Sequence, residues 1–159
     1  MLEKPWPKLR LANNTDRENI TRLVFDVLKE YDLKPDPSST DKDLKDIESS
    51  YFKRGGTFLV LEAKDGSIVG AYGLYPMEEQ TCELRKMYLQ KAYRGKGLGK
   101  FLMEDALARA RRLGFKKMVL ETASVLKEAI ALYKSYGFEE YTPGHLSSRC
   151  DQAYSLVLK

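Results

Sequence analysis

The 159-residue sequence predicts an α+β fold, a mixed and mostly antiparallel sheet flanked by helices. Three β-branched and aromatic runs follow one another between residues 57 and 89 with only turn residues between them, as antiparallel neighbours do. Beyond them the apolar period alternates between two and 3.6, giving strand, helix, strand and helix before two closing strands. The length fits one domain over 1–159, large enough to bury a core without disulfide or metal staples.

In chain order, "LRLANNTD" reads as a short strand running into a turn. Ile20, Leu23, Val24, Val27 and Leu28 then recur at helical spacing up to Tyr31. The two prolines of "DLKPDPSST" make a loop, after which Thr40 or Asp41 is placed to cap a second helix through Leu44, Ile47 and Tyr51, ended by Gly55-Gly56. "TFLVLEA", the turn "KDGS" and "IVGAYGLYP" form a hairpin, and "TCELRKMYL" follows as a third strand. After the glycine-rich "YRGKGLGK", Leu98, Leu102, Ala106, Ala110 and Leu113 form an i, i+4 stripe, with Asp105 and Arg109 paired on the opposite side and Gly114 as the stop. "KKMVLET" is a strand and "LKEAIALYKSY" a helix closed by Gly137. "FEEYT" and "AYSLVLK" are the last strands, whose edges a homodimer would use.

Composition removes several functions. The net charge of +4 comes from 27 cations interleaved with 23 anions, so there is no basic stripe for nucleic acid. Cys82 and Cys150 lie far apart without a CxxC pair, and His145 is the one histidine, too few soft ligands for zinc; no metal is expected. "MLEKPWPKLR" carries proline and charge where a leader needs an apolar run, and no stretch approaches the ~18 apolar residues of a membrane span. The expectation is a cytoplasmic protein with reduced thiols and no membrane partner.

The glycine loop is suited to a pyrophosphate. A helix N-terminus presents unpaired N–H groups and partial positive charge, and glycines let phosphate oxygens approach the backbone, with Arg94, Lys96 and Lys100 adding cations. A Walker loop fails because Phe101, not Ser or Thr, follows Lys100. A dinucleotide fingerprint fails because Gly99 comes one place too soon after Gly95-Lys96-Gly97. What fits is R-x-x-G-x-G, Arg94 to Gly99, followed by A-x-x-L-Y-x-x-x-G-F, Ala129 to Phe138. With these two motifs in this order, the chain resembles the GNAT acetyltransferase superfamily, closely from Cys82 to about Tyr141 and by element order elsewhere.

The resemblance implies a GNAT-like acyl-CoA N-acyltransferase fold and acetyl-CoA as co-substrate. It places the pyrophosphate on Arg94, Gly95, Lys96, Gly97, Gly99 and Lys100, the pantetheine arm on the Leu89 backbone, and the oxyanion on a backbone N–H at Met87. An attacking alkylamine with a pKa of ~10.4 must lose a proton, and the resemblance offers Glu83 as acceptor. By alternation Arg85 shares the face of Glu83, and a structural ion pair between them is the competing reading. Tyr133 stands where the family places the acid that protonates the departing thiolate. Leu126 replaces a usual asparagine, so that amide contact to the cofactor is absent, and Lys134 is a further candidate for a CoA phosphate. Arg85 and Arg149 are candidate substrate contacts. A Cys150–His145 acyl-enzyme is the weaker mechanism. The expected activity is acetyl transfer to a small-molecule primary amine, with a protein lysine or terminal amine, or a non-catalytic acyl-CoA sensor, as alternatives.

Overall fold

The structure is a computed structural model that describes residues 7–159; residues 1–6, part of the stretch on which the reading of an absent leader rests, lie outside it. Among the described residues the strands are β1 (Lys8–Leu11), β2 (Thr57–Glu62), β3 (Ile68–Pro76), β4 (Thr81–Leu89), β5 (Lys117–Thr122), β6 (Glu139–Tyr141) and β7 (Gln152–Val157). The helices are α1 (Arg17–Glu30), α2 (Ile47–Ser50), α3 (Leu98–Arg112) and α4 (Lys127–Ser135). All seven strands form one sheet in the order β1-β2-β3-β4-β5-β7-β6, antiparallel throughout except between β4 and β5. This is the mixed, mostly antiparallel sheet read from the sequence. No helix among the described residues is long and apolar enough to cross a membrane.

Alternation along the strands feeds two cores. On one face Leu59, Leu61, Leu84, Met118 and Leu120 meet Leu102, Ala106 and Ala110 of α3 and Tyr133 of α4. On the other, Phe58, Val60 and Ala71 meet Ile20, Val24, Val27 and Leu28 of α1, the face the helical spacing predicted. Each fully buried aliphatic side chain contributes about 1.5–3 kcal/mol, so both faces must be covered for the sheet to persist.

Three local readings need correction. The second helix is not continuous: residues 42–45 form a 3-10 turn, Asp46 is extended at φ −147°, and its side chain accepts the Ser49 N–H at 3.0 Å, restarting the chain as the single turn of α2. That local cap competes with helix continuation. Asp41 caps nothing, because its carboxylate turns inward and is taken by Arg149. On α3 the stripe stops at Ala110, with Leu113 46 % exposed, and the Asp105–Arg109 pair (2.7 Å) is not on the far side, since Asp105 also accepts the Tyr72 hydroxyl of β3.

β4 is irregular where it matters. Arg85 pairs with Gly73 and Tyr88 with Ala71, so Lys86 and Met87 together oppose Tyr72 alone. This β-bulge puts Lys86 at φ 55° and reverses the alternation. Leu84 packs on the α3 side before it, Met87 and Leu89 after it, while Tyr88 turns to the α1 side. The parallel register of β4 with β5 covers only Thr81–Glu83 against Lys117–Val119; beyond it the two strands part.

Candidate active site

Where β4 and β5 part, a cleft of about 900 Å³ opens. It is lined by Glu83, Arg85, Met87 and Leu89 of β4, by Arg94, Gly95, Gly97, Gly99 and Lys100, by Leu126 and Tyr133 around α4, and by Arg149. Residues predicted from separate motifs thus meet at one concavity. Two lie away from it: Lys96 is exposed with its ammonium 5.7 Å from the Tyr93 ring centre, and Lys134 is exposed on α4.

At one end of the cleft, Gly95 and Gly97 have φ of 75° and 81°, and Gly97 occupies the N-cap of α3 with no side-chain cap. The first amides of that helix therefore have no side chain competing for them at the cap. Arg94 braces the loop: its Nε donates to the Leu89 carbonyl at 2.9 Å, and Nη1 and Nη2 donate to Glu30 at 2.7 and 3.0 Å. Its charge is paired with Glu30, so Lys100 is the cation of the loop that both lines the cleft and forms no ion pair among the described residues.

In the middle, Glu83 is 8 % exposed and its carboxylate accepts from Nε of Arg85, whose guanidinium lies 3.7 Å over the Tyr75 ring. The ion pair foreseen as the competing reading is present, and Glu83 also lines the cleft. Tyr133 is 7 % exposed, held between Phe138 and Tyr154 at 5.9 and 6.5 Å between ring centres. Its hydroxyl makes no hydrogen bond among the described residues, and burial, with smaller contributions from Tyr88 and Cys150, pushes its pKa above the usual phenol value. Burial likewise pushes Tyr88 up to about 12 despite Arg149 nearby.

Elsewhere in the lining, Arg149 grips Asp41 with both terminal nitrogens at 2.7 Å, which leaves that fork filled rather than open to a substrate carboxylate. Cys150 and His145 do line the cleft, yet burial raises the Cys150 thiol, which disfavours the thiolate a nucleophile needs. Cys82 is a core residue, pushed up to about 12 by burial. The sequence reading gave no site role to Lys86 and Glu121, which line the cleft, or to Asp41 and Asp43, whose carboxylates lie 3.4 and 3.2 Å from the Lys86 ammonium. Lys86 left a trace in the sequence, since regular alternation would place its charge on the face of the apolar Leu84.

Comparison with known proteins gives the family and the fold. The model described as the acetyltransferase (GNAT) family matches residues 22–138. The uncharacterized N-acetyltransferase YjgM of Escherichia coli (strain K12) is 41 % identical over 84 % of this chain and 82 % of its own. An acetyltransferase of the GNAT family from Staphylococcus aureus Mu50 superposes with a TM-score of 0.89, 24 % identity, and coverage of 96 % of this chain and 99 % of that one. The phosphinothricin acetyltransferase of Sinorhizobium meliloti, solved in complex with acetyl-CoA, has a TM-score of 0.73 at 21 % identity, over 95 % of this chain and 88 % of its own.

Proposed function

The chain belongs to the acetyltransferase (GNAT) family, and from that premise we propose that it moves an acetyl group from acetyl-CoA to the primary amine of a small molecule by direct attack. The observation that carries this reading is the convergence, in one cleft, of the glycine loop at the start of α3, the β4 bulge and the buried Tyr133. The pyrophosphate rests on the amides and cations of the loop, and the pantetheine arm runs along β4 past Leu89 in the gap that β5 leaves.

The thioester carbonyl then faces the Met87 N–H, which stabilises the oxyanion as the amine nitrogen bonds to carbon. Glu83 takes the ammonium proton, directly or through a water, and Arg85 holds its carboxylate in place. As the C–S bond breaks, the sulfur receives the Tyr133 proton, and the second proton shed by the new amide nitrogen returns through water to the Tyr133 oxygen. Arg149 serves as a wall of the acceptor end rather than a ligand, given its bond to Asp41. The unpaired thiols support a cytosolic setting.

Calorimetric titration with acetyl-CoA tests the first half, and free-thiol release across a panel of small amines tests the second. Binding followed by amine-dependent release is expected. Absence of binding heat would remove the reading, and binding without release by any small amine would favour a protein acceptor or a sensor.

A further inference from the structure

Lys86 has no duty in the reaction above, yet it is among the most constrained residues of the molecule. It sits one residue before Met87 in the bulge, 8 % exposed, at φ 55°. Its ammonium donates to the Thr40 carbonyl at 3.1 Å and lies 3.2 Å from Asp43 Oδ1 and 3.4 Å from Asp41 Oδ1. Asp41, 2 % exposed, is held in turn by Nη1 and Nη2 of Arg149 and by the Asp36 N–H, each at 2.7 Å. Asp43 accepts the Tyr51 hydroxyl. One buried network therefore joins the bulge, the 31–46 connection between α1 and α2, and the 142–151 connection between β6 and β7. Each of the three contributes to the lining of the cleft.

A side chain other than glycine leaves the left-handed region unless its surroundings hold it there. For Lys86 the surroundings are the buried oxygens: an ammonium in this environment cannot drift to solvent, so its stem anchors the backbone from which it springs. The peptide so anchored is the one that carries the Met87 N–H. We propose that Lys86 is a positioning residue, whose buried ammonium fixes the 86–87 peptide so that the Met87 N–H aims at the thioester carbonyl. The two acceptor-side connections and the oxyanion donor are thereby set as one unit. This rests on the reading of an acetyl-CoA site given above.

The test reads carbonyl polarisation and needs no acceptor. Acetyl-CoA labelled with carbon-13 at the thioester carbonyl is bound to the protein and its stretching frequency recorded by isotope-edited infrared spectroscopy. Wild type is expected to shift the band below that of free acetyl-CoA. Lys86→Met is expected to bind with an affinity within about threefold but to return the band toward its free position. Lys86→Gly, free to adopt positive φ without the anchor, is expected to retain more of the shift than Lys86→Met. A merely structural lysine predicts the reverse order, because glycine leaves the larger void. Asp41→Asn weakens the network from the loop and carries the same expectation of a reduced shift, should Lys86→Met not fold. A full shift in Lys86→Met or in Asp41→Asn, or a glycine variant at least as impaired as the methionine one, overturns the proposal. Wild type that fails to bind acetyl-CoA is recognised before any variant is made, and it overturns the proposed function and this inference with it.

Discussion

Tyr133 joins a large apolar contact to a hydroxyl with no protein partner among the described residues, and those two properties separate stability from chemistry. Phenylalanine keeps the ring against Phe138 and Tyr154, so Tyr133→Phe should leave the thermal midpoint and the calorimetric acetyl-CoA affinity nearly unchanged. Turnover should fall by about 10²-fold, the lower end of what a positioned proton donor contributes. The sign of its pKa shift adds a pH test. Because burial raises the phenol, the hydroxyl stays protonated past the usual tyrosine value of ~10, while the amine becomes a better nucleophile as pH rises. Rates should therefore climb through pH ~9 without a tyrosine-like loss below ~10. Unchanged turnover in Tyr133→Phe would end its role as acid. Its neighbour Glu83 is argued the same way: Glu83→Gln keeps a partner for Arg85 Nε but takes up no proton, so turnover should fall by about 10²-fold or more with acetyl-CoA affinity retained.

At the scale of elements, the loop that opens α3 uses its glycines unequally. Gly97 needs its positive φ, so Gly97→Ala should lower stability by about 1–2 kcal/mol in urea unfolding and weaken acetyl-CoA binding in the same protein. Gly99 lies inside the first turn of α3, where an added Cβ would meet Leu132 and Leu89 at ordinary contact distances of 3.6 and 3.8 Å. Gly99→Ala should be neutral or stabilising by up to about 1 kcal/mol. Equal losses for both would mean that the loop's backbone conformation is not what matters. Elements were also where the sequence was most legible, because strand and helix periods and the stop glycines are local signals: β2 to β5, α1, α3 and α4 follow from them. The second helix did not, since Asp46 caps Ser49 and interrupts a run whose apolar spacing looked helical. The β4 bulge left only a trace, a lysine at 86 where alternation would share the Leu84 face, and only the fold reveals that it lies opposite Tyr72 beside the cleft.

For the whole molecule, the cleft exists because the parallel seam of β4 and β5 ends at Glu83 and Val119, and two of the connections that line it meet again through Arg149 and Asp41. These partners are 108 residues apart in sequence, which is why the glycine loop and Tyr133 could be read from local spacing and this contact could not. Burial alone would raise the Asp41 carboxyl, but Arg149, the Asp36 N–H and Lys86 outweigh it and hold it below its ordinary value. Asp16 is held low chiefly by the Arg10 guanidinium, against a smaller burial penalty. A depressed carboxyl contributes stability that is complete above the unfolded pKa of ~3.9 and is lost as pH falls through the lower folded value. Scanning calorimetry should therefore show a midpoint that is flat from neutral pH to about 5 and falls below about 4. Arg149→Met removes the main counter-charge while keeping bulk, leaving a buried carboxylate with Lys86 alone, and should cost about 3–5 kcal/mol. The same change lets burial dominate at Asp41, whose carboxyl then lies above its unfolded value, so its share of the acid fall should vanish and stability should recover rather than drop as pH falls toward about 4. An Arg149→Met protein with an unmoved acid limb would show that Asp41 does not owe its charge to Arg149, and the joining of the two connections across the cleft would need another cause.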